Sequence, residues 1–158
     1  MKSQIYTAFI LLFVLSSQEL FAQRVIPQPN CINHFYRPEI DSLKRVLGAQ
    51  HFMLVREASM TMESGYEMPV VMSLAKGNTY QLIFIGDPRS AQFEVRMFDW
   101  KERQVFYKKN QISDWDRNII NYSYLPLVTE NHLMKPVQVC NSQKNGLCGY
   151  VMVFKKLS

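Results

Sequence analysis

The sequence lacks the short motifs that mark most enzyme active sites. It has no Gly-x-Ser-x-Gly nucleophile turn, no glycine-rich phosphate loop and no His-Glu-x-x-His pair. Its three histidines, His34, His51 and His132, lie in no recognisable arrangement with a serine or cysteine nucleophile. We therefore expect a protein that is not an enzyme and that uses no cofactor.

Long hydrophobic runs are also missing. The longest apolar stretch, residues 5–15, is shorter than the roughly 20 residues that a membrane-spanning helix needs. It follows Lys2 and leads to the small residue Ala22, which is the pattern of a cleavable signal peptide. We expect a signal peptide at 1–22, an extended leader at 23–36, and no transmembrane segment after processing. The expected location is periplasmic, outer-membrane-associated or secreted.

Cysteine is scarce, and its placement bears on the redox state of the chain. The three cysteines are Cys31, Cys140 and Cys148, and outside the cytoplasm neighbouring thiols tend to be oxidised. Asn145-Gly146 is a hairpin turn signal between two strand-like segments, which favours a bridge from Cys140 to Cys148 across that hairpin. A bridge from Cys31 to either of the others, or no bridge at all, remains open.

Acidic residues are fewer than basic ones. The chain has 18 Lys and Arg against 13 Asp and Glu, a formal charge of +5. In an exported protein this excess favours an anionic glycan or a protein partner over nucleic acid. The simpler interpretation is that the charge serves solubility.

One short helix is predicted near the start of the mature chain. Pro38 suits a first helical turn, and Gly48 supplies a stop. The apolar residues between them recur at helical spacing, which predicts an amphipathic helix over residues 38–47 that packs on a sheet. These residues are Ile40, Leu43, Val46 and Leu47.

From Phe52 onward the hydrophobic period changes to two, which is typical of strands. Short strand-like segments follow one another, separated by turns such as Lys76-Gly77-Asn78. We expect about eight strands in a mainly-β, antiparallel β-sandwich or jelly roll, forming a single domain over residues 37–158. After the first strand, the predicted segments are 68–75, 79–85, 93–97, 104–107, 119–125, 137–140 and 150–155.

Several of these segments carry a family resemblance. The runs LAKGNTY at 74–80, IGD at 85–87 and FEVRMFD at 93–99, with Cys140 and Cys148 near the last hairpin, are similar to the bacterial pre-peptidase C-terminal type of β-sandwich. The resemblance covers about residues 66–156. It implies an accessory or binding domain rather than a catalyst.

Aromatic side chains are the first candidate for a binding surface. Trp100 and Trp115 lie beside predicted turns, and Tyr122 and Tyr124 share one face of a predicted strand. Flat rings on a sandwich surface suit a sugar or a protein partner, whereas burial in the core is the alternative. The main hypothesis is therefore a non-catalytic binding or assembly module of the cell envelope or extracellular space.

Methionine supports a rival hypothesis. Met60, Met62 and Met68, with His51 upstream, offer soft ligands that select reduced copper, as in a periplasmic copper-binding protein. Alternation also places Met60 and Met62 on the same buried face as Phe52 and Leu54, where methionine commonly fills a core.

Overall fold

The computed structural model describes residues 31, 36–111, 113–114 and 118–157. These residues form one helix followed by eight strands. The elements are α1 (Arg37–Ala49), β1 (Phe52–Met62), β2 (Val70–Leu74), β3 (Tyr80–Gly86), β4 (Gln92–Phe98), β5 (Gln104–Gln111), β6 (Ile119–Tyr124), β7 (Glu130–Val139) and β8 (Leu147–Lys156).

The strands form two antiparallel sheets of four strands each. The first sheet has the order β1-β8-β3-β6, and the second has the order β2-β7-β4-β5. Their facing sides enclose the main core, to which alternate residues of each strand contribute. In β2, for example, Val70, Met72 and Leu74 are buried while Val71 and Ser73 are exposed. The predicted mainly-β sandwich with an N-terminal helix is confirmed.

Helix α1 covers the outer face of the first sheet. Leu47 is buried against Ile83, Ile85 and other outward residues of that sheet, and Ile40 packs at the edge of this cluster. The predicted helix is confirmed, although Val46 is 47% exposed and does not join the apolar stripe. Both faces of the first sheet are thus covered, whereas no described helix covers the outer face of the second sheet.

No helix among the described residues combines the length and the apolar character that a membrane crossing requires.

The apolar side chains of β1 point to one face of the first sheet at the start of the strand and to the other face at its end. The pairing of β1 with β8 shifts between Leu54 and Arg56, so one extra residue is inserted as a β-bulge. Phe52 and Leu54 therefore pack on the helix side, whereas Met60 and Met62 enter the core between the sheets. The prediction that all four share one face was wrong, because the bulge reverses the alternation.

Strand β7 is much longer than the predicted segment 137–140. It spans Glu130–Val139 and lies in the interior of the second sheet, between β2 and β4. Pro136 interrupts the sequence signal, since proline has no N–H to donate and is rare in central strands. Here Pro136 lies opposite Val95, and its carbonyl oxygen accepts the N–H of Met68 at 3.0 Å.

The predicted bridge between Cys140 and Cys148 was wrong. The structure joins Cys31 to Cys148, with a Cα–Cα distance of 5.6 Å, and Cys140 is a buried free thiol. The expected hairpin is absent because β7 ends in the second sheet and β8 begins in the first. Cys148 consequently lies in the cluster beneath the helix, with Cys31 against it, while Cys140 belongs to the core between the sheets.

Candidate functional site: a cleft beside Trp100

The turn between β4 and β5 is organised by one buried carboxylate. Asp99 Oδ1 accepts the backbone N–H groups of Lys101 and Arg103, both at 2.9 Å, and Asp99 Oδ2 accepts Nε of Arg103 at 2.7 Å. These bonds fix the path of the turn. Trp100, which follows Asp99, is 71% exposed and projects from this rigid turn.

The same contacts keep Asp99 ionised. Burial acts to raise the pKa of its carboxyl group, but the hydrogen bonds from the backbone and side chain of Arg103, joined by that of Lys101, outweigh burial and hold the pKa below its usual value. Arg103 also forms an ion pair with the carboxylate at 2.7 Å. The turn therefore adds little net charge beside Trp100.

A cleft of about 270 Å³ opens next to this turn, on the second sheet. Trp100, Val71 and Leu133 supply apolar surface, and the β-ladder places Val71 directly opposite Leu133. Polar groups accompany them. The full lining is Val71, Asp99, Trp100, Glu102, Asn131, His132 and Leu133.

Asn131 provides a positioned amide in the cleft. Ser73 Oγ donates a hydrogen bond to Asn131 Oδ1 at 2.6 Å across the β2–β7 pair. Because the amide oxygen is used in this way, the NH₂ group of Asn131 can donate to a ligand. Glu102, which also lines the cleft, adds a carboxylate acceptor, so the cleft combines a donor and an acceptor with the Trp100 ring.

A buried polar contact between Tyr124 and His132 supports the lining of the cleft. The hydroxyl of Tyr124 lies 2.9 Å from Nε2 of His132, and the two rings meet edge to face. His132 is 2% exposed. Tyr124 thus supports the cleft from within and is not part of its surface.

The remaining aromatic candidates have different outcomes. Tyr122 is 8% exposed, stacks on Phe106 at an interplanar angle of 5°, and places its hydroxyl 3.3 Å from Sδ of Met97. Tyr122 is therefore a core residue, as the alternative interpretation held. Trp115 lies outside the described residues.

Two basic side chains of the second sheet have acidic partners, whereas the guanidinium of Arg56 donates to the carbonyl oxygen of the cleft residue Val71 at 2.6 Å. Arg96 forms ion pairs with Glu94 and Glu67, and Lys135 pairs with Glu67 at 2.9 Å. Lys135 also lies 5.3 Å from the ring centre of Phe98. Around Arg96 and Lys135 the outer face of the second sheet is consequently polar and close to neutral, which sequence analysis missed because these residues come from separate strands.

The methionines fill the core, and the structure does not bring His51 to them. Met60 and Met62 are each 2% exposed in the core between the sheets, and Met68 packs against that core. His51 is exposed and precedes β1, whereas Met62 ends it, which separates them by roughly 30 Å along the strand. Among the described residues, no group of three or more His, Cys, Asp or Glu side chains could hold a metal ion.

Comparison with known proteins identifies no family. No family model matches the chain, and no curated protein matches it. The resemblance to pre-peptidase C-terminal domains is thus supported only as far as the β-sandwich.

Some solved structures align with the chain at low similarity. A CBM4 structure is 15% identical, with a TM-score of 0.41, over 66% of this chain and 78% of that one. TmCBM61, solved in complex with β-1,4-galactotriose, is 11% identical, with a TM-score of 0.36, over 68% and 69%. The GH115 glucuronidase BtGH115A is 11% identical, with a TM-score of 0.42, over 64% of this chain and 14% of that one. TM-scores this low carry no argument about function.

Proposed function

We propose that this protein is a non-catalytic recognition module that binds a neutral glycan in the cleft beside Trp100. The observation that carries the proposal is the 71% exposure of Trp100 on a turn held rigid by Asp99. One face of a pyranose ring is lined by C–H groups and packs on a flat aromatic side chain. Presenting the ring on a rigid turn reduces the entropy lost on binding.

The polar groups of the cleft suit sugar hydroxyls. A hydroxyl both donates and accepts hydrogen bonds, and the cleft offers the Glu102 carboxylate as acceptor and the Asn131 amide as donor. Its volume of about 270 Å³ lies just below the ~300–1,000 Å³ range of small-molecule sites, which favours a short glycan.

Charges of both signs lie around the cleft, so its electrostatics do not select the anionic glycan suggested by the overall charge of +5. Arg103 pairs with Asp99, and the negative charge of Glu102 follows Lys101 in the same turn, while the guanidinium of Arg56 donates to the carbonyl oxygen of Val71. The proposed ligand is therefore one that the apolar ring and the polar groups of the cleft can bind without an ionic contact.

The disulfide between Cys31 and Cys148 supports an oxidising location and agrees with the expected signal peptide at 1–22, which lies outside the described residues. An extracellular or periplasmic glycan is the corresponding class of ligand.

The test is a titration of the mature chain with neutral oligosaccharides by calorimetry, preceded by a glycan-array screen. Trp100→Ala should weaken binding about thirtyfold or more, as expected when an aromatic hot spot is removed. The matched control is Tyr66→Ala, because Tyr66 is 65% exposed and lies in the β1–β2 loop, outside the cleft lining. Failure to bind any neutral glycan, or equal binding by Trp100→Ala and the parent, would contradict the proposal.

A further inference from the structure

The loop that joins β6 to β7, residues 125–129, carries three exposed aliphatic side chains. Leu127 is 80% exposed, and Leu125 and Val128 are each 55% exposed. We call these three residues the apolar tip. Exposed apolar side chains that form one patch are typical of surfaces that bind another protein or a membrane.

The apolar tip is held in position by its neighbours. Pro126 is buried, and its carbonyl oxygen accepts the N–H of Gly77 at 3.5 Å. The backbone N–H of Lys76 donates to Oγ1 of Thr129 at 2.9 Å. The β2–β3 turn therefore supports the loop from the side, and the exposed side chains form a fixed protrusion.

Three lysines lie at the same end of the sandwich as this protrusion, and we call them the lysine collar. Lys76 lies in the supporting turn, while Lys155 and Lys156 end β8 at the same end of the sandwich. The register proves this placement, because Tyr80 pairs with both Lys155 and Tyr124, the residue that precedes the apolar tip. Within the described part of the chain, none of the three lysines forms an ion pair, and Nζ of Lys156 lies 6.0 Å from the ring centre of Phe52.

We propose that this end of the sandwich docks on the surface of a bilayer that contains anionic lipid. The apolar tip enters the boundary between headgroups and acyl chains, and the lysine collar contacts the lipid phosphates. A rigid partner can bind a protruding apolar side chain only through a groove of matching shape. A fluid bilayer needs no such groove, because its lipids rearrange around the side chain. The lysine collar supplies the charge complementarity that selects anionic lipid.

Vesicle co-sedimentation of the mature chain tests this proposal. Binding is expected to vesicles of phosphatidylcholine mixed with phosphatidylglycerol, and it should fall as salt rises, because salt screens the lysine–phosphate attraction. The double variant Leu127→Ser with Val128→Ser should weaken binding about tenfold or more, because it removes the inserted aliphatic groups. Lys155→Gln with Lys156→Gln should weaken it about thirtyfold.

Matched controls lie at the opposite end of the sandwich. Tyr66→Ser removes a 65% exposed apolar side chain, and Lys144→Gln removes an exposed charge close to where β8 begins. Both should bind the mixed vesicles like the parent. The proposal is overturned if the parent does not bind mixed vesicles, if it binds pure phosphatidylcholine equally well, or if the apolar-tip variant binds like the parent. It does not rest on glycan binding, so the two tests fail separately.

Discussion

The carboxylate of Asp87, the residue directly after β3, accepts the backbone N–H of Cys148 at 3.0 Å. Asp87 is fully buried, and Arg89 donates to it from both its backbone and its guanidinium group. Gln138 completes the arrangement, since its Oε1 accepts the N–H of Asp87 at 2.7 Å and its Nε2 donates to the carbonyl of Cys148 at 3.0 Å. The disulfide-bonded start of β8 is thereby tied to β3 and β7, strands of different sheets.

Replacing Asp87 should destabilise the fold in a pH-dependent way. Asp87→Asn removes the ion pair with Arg89 and is expected to lower the free energy of unfolding by about 1–3 kcal/mol at neutral pH. Burial acts to raise the pKa of Asp87, but hydrogen bonds from Arg89 and the N–H of Cys148 outweigh it and lower the pKa.

A lowered pKa in the folded state means that the unfolded chain binds the proton more tightly. The stability contributed by Asp87 is therefore complete above the unfolded value of about 3.9, and it is lost as pH falls through the lower folded value. Urea unfolding at several pH values should show parent and Asp87→Asn converging below about pH 4. The control is Glu63→Gln, at an exposed position. If the difference in unfolding free energy between the parent and Asp87→Asn grew as pH fell, the lowered pKa of Asp87 would be contradicted.

Loss of the disulfide should cost more than loss of the free thiol. Cys31→Ser is expected to lower stability by about 2–5 kcal/mol, because the bridge closes a sequence separation of 117 residues. Cys140→Ala leaves that bridge intact and should cost about 1 kcal/mol, mainly the contact of its Sγ with the carbonyl of Arg89. Non-reducing peptide mapping checks the pairing, and a peptide joining Cys140 to Cys148 would disprove it.

Two glycine substitutions should act in opposite directions. A Cβ at Gly149 would lie 2.6 Å from Sδ of Met62 and 3.1 Å from Cε2 of Phe84, so Gly149→Ala should cost about 1–3 kcal/mol through overpacking. Gly48, in α1, has open space around it, and Gly48→Ala should raise stability by about 0.5–1 kcal/mol. Thermal unfolding of both variants measures the contrast, and equal melting temperatures would argue against this packing of β8.

Replacing Trp100 and replacing Tyr122 should have different effects on the free energy of unfolding. Trp100→Ala is expected to change the free energy of unfolding by no more than about 0.5 kcal/mol, because the ring is 71% exposed. Tyr122→Ala should cost about 3–5 kcal/mol, since it removes a buried ring that stacks on Phe106. Chemical denaturation distinguishes them, and a large loss for Trp100→Ala would place that ring in the core instead.

Local pattern was enough to predict the number of strands and most of their places, the helix, and the position of Trp100 beside a turn. These features depend on short-range rules: alternation of period two, the helical spacing of Ile40, Leu43 and Leu47, and the turn after Asp99. Such rules involve residues that are close in the chain, so they can be recognised in the sequence alone. They failed at Pro136, where pairing with neighbouring strands overrides a weak local signal.

The amino-acid sequence by itself thus determined a mainly-β chain with one amphipathic helix, since periodicity is a local property. Only the tertiary structure decided which cysteine pairs with Cys148, because β7 and β8 go to different sheets. It also decided that the side chains of β1 change face at the bulge, because the bulge depends on the register with β8. The cleft beside Trp100 likewise exists only because strands distant in sequence place Val71 and Asn131 next to the β4–β5 turn.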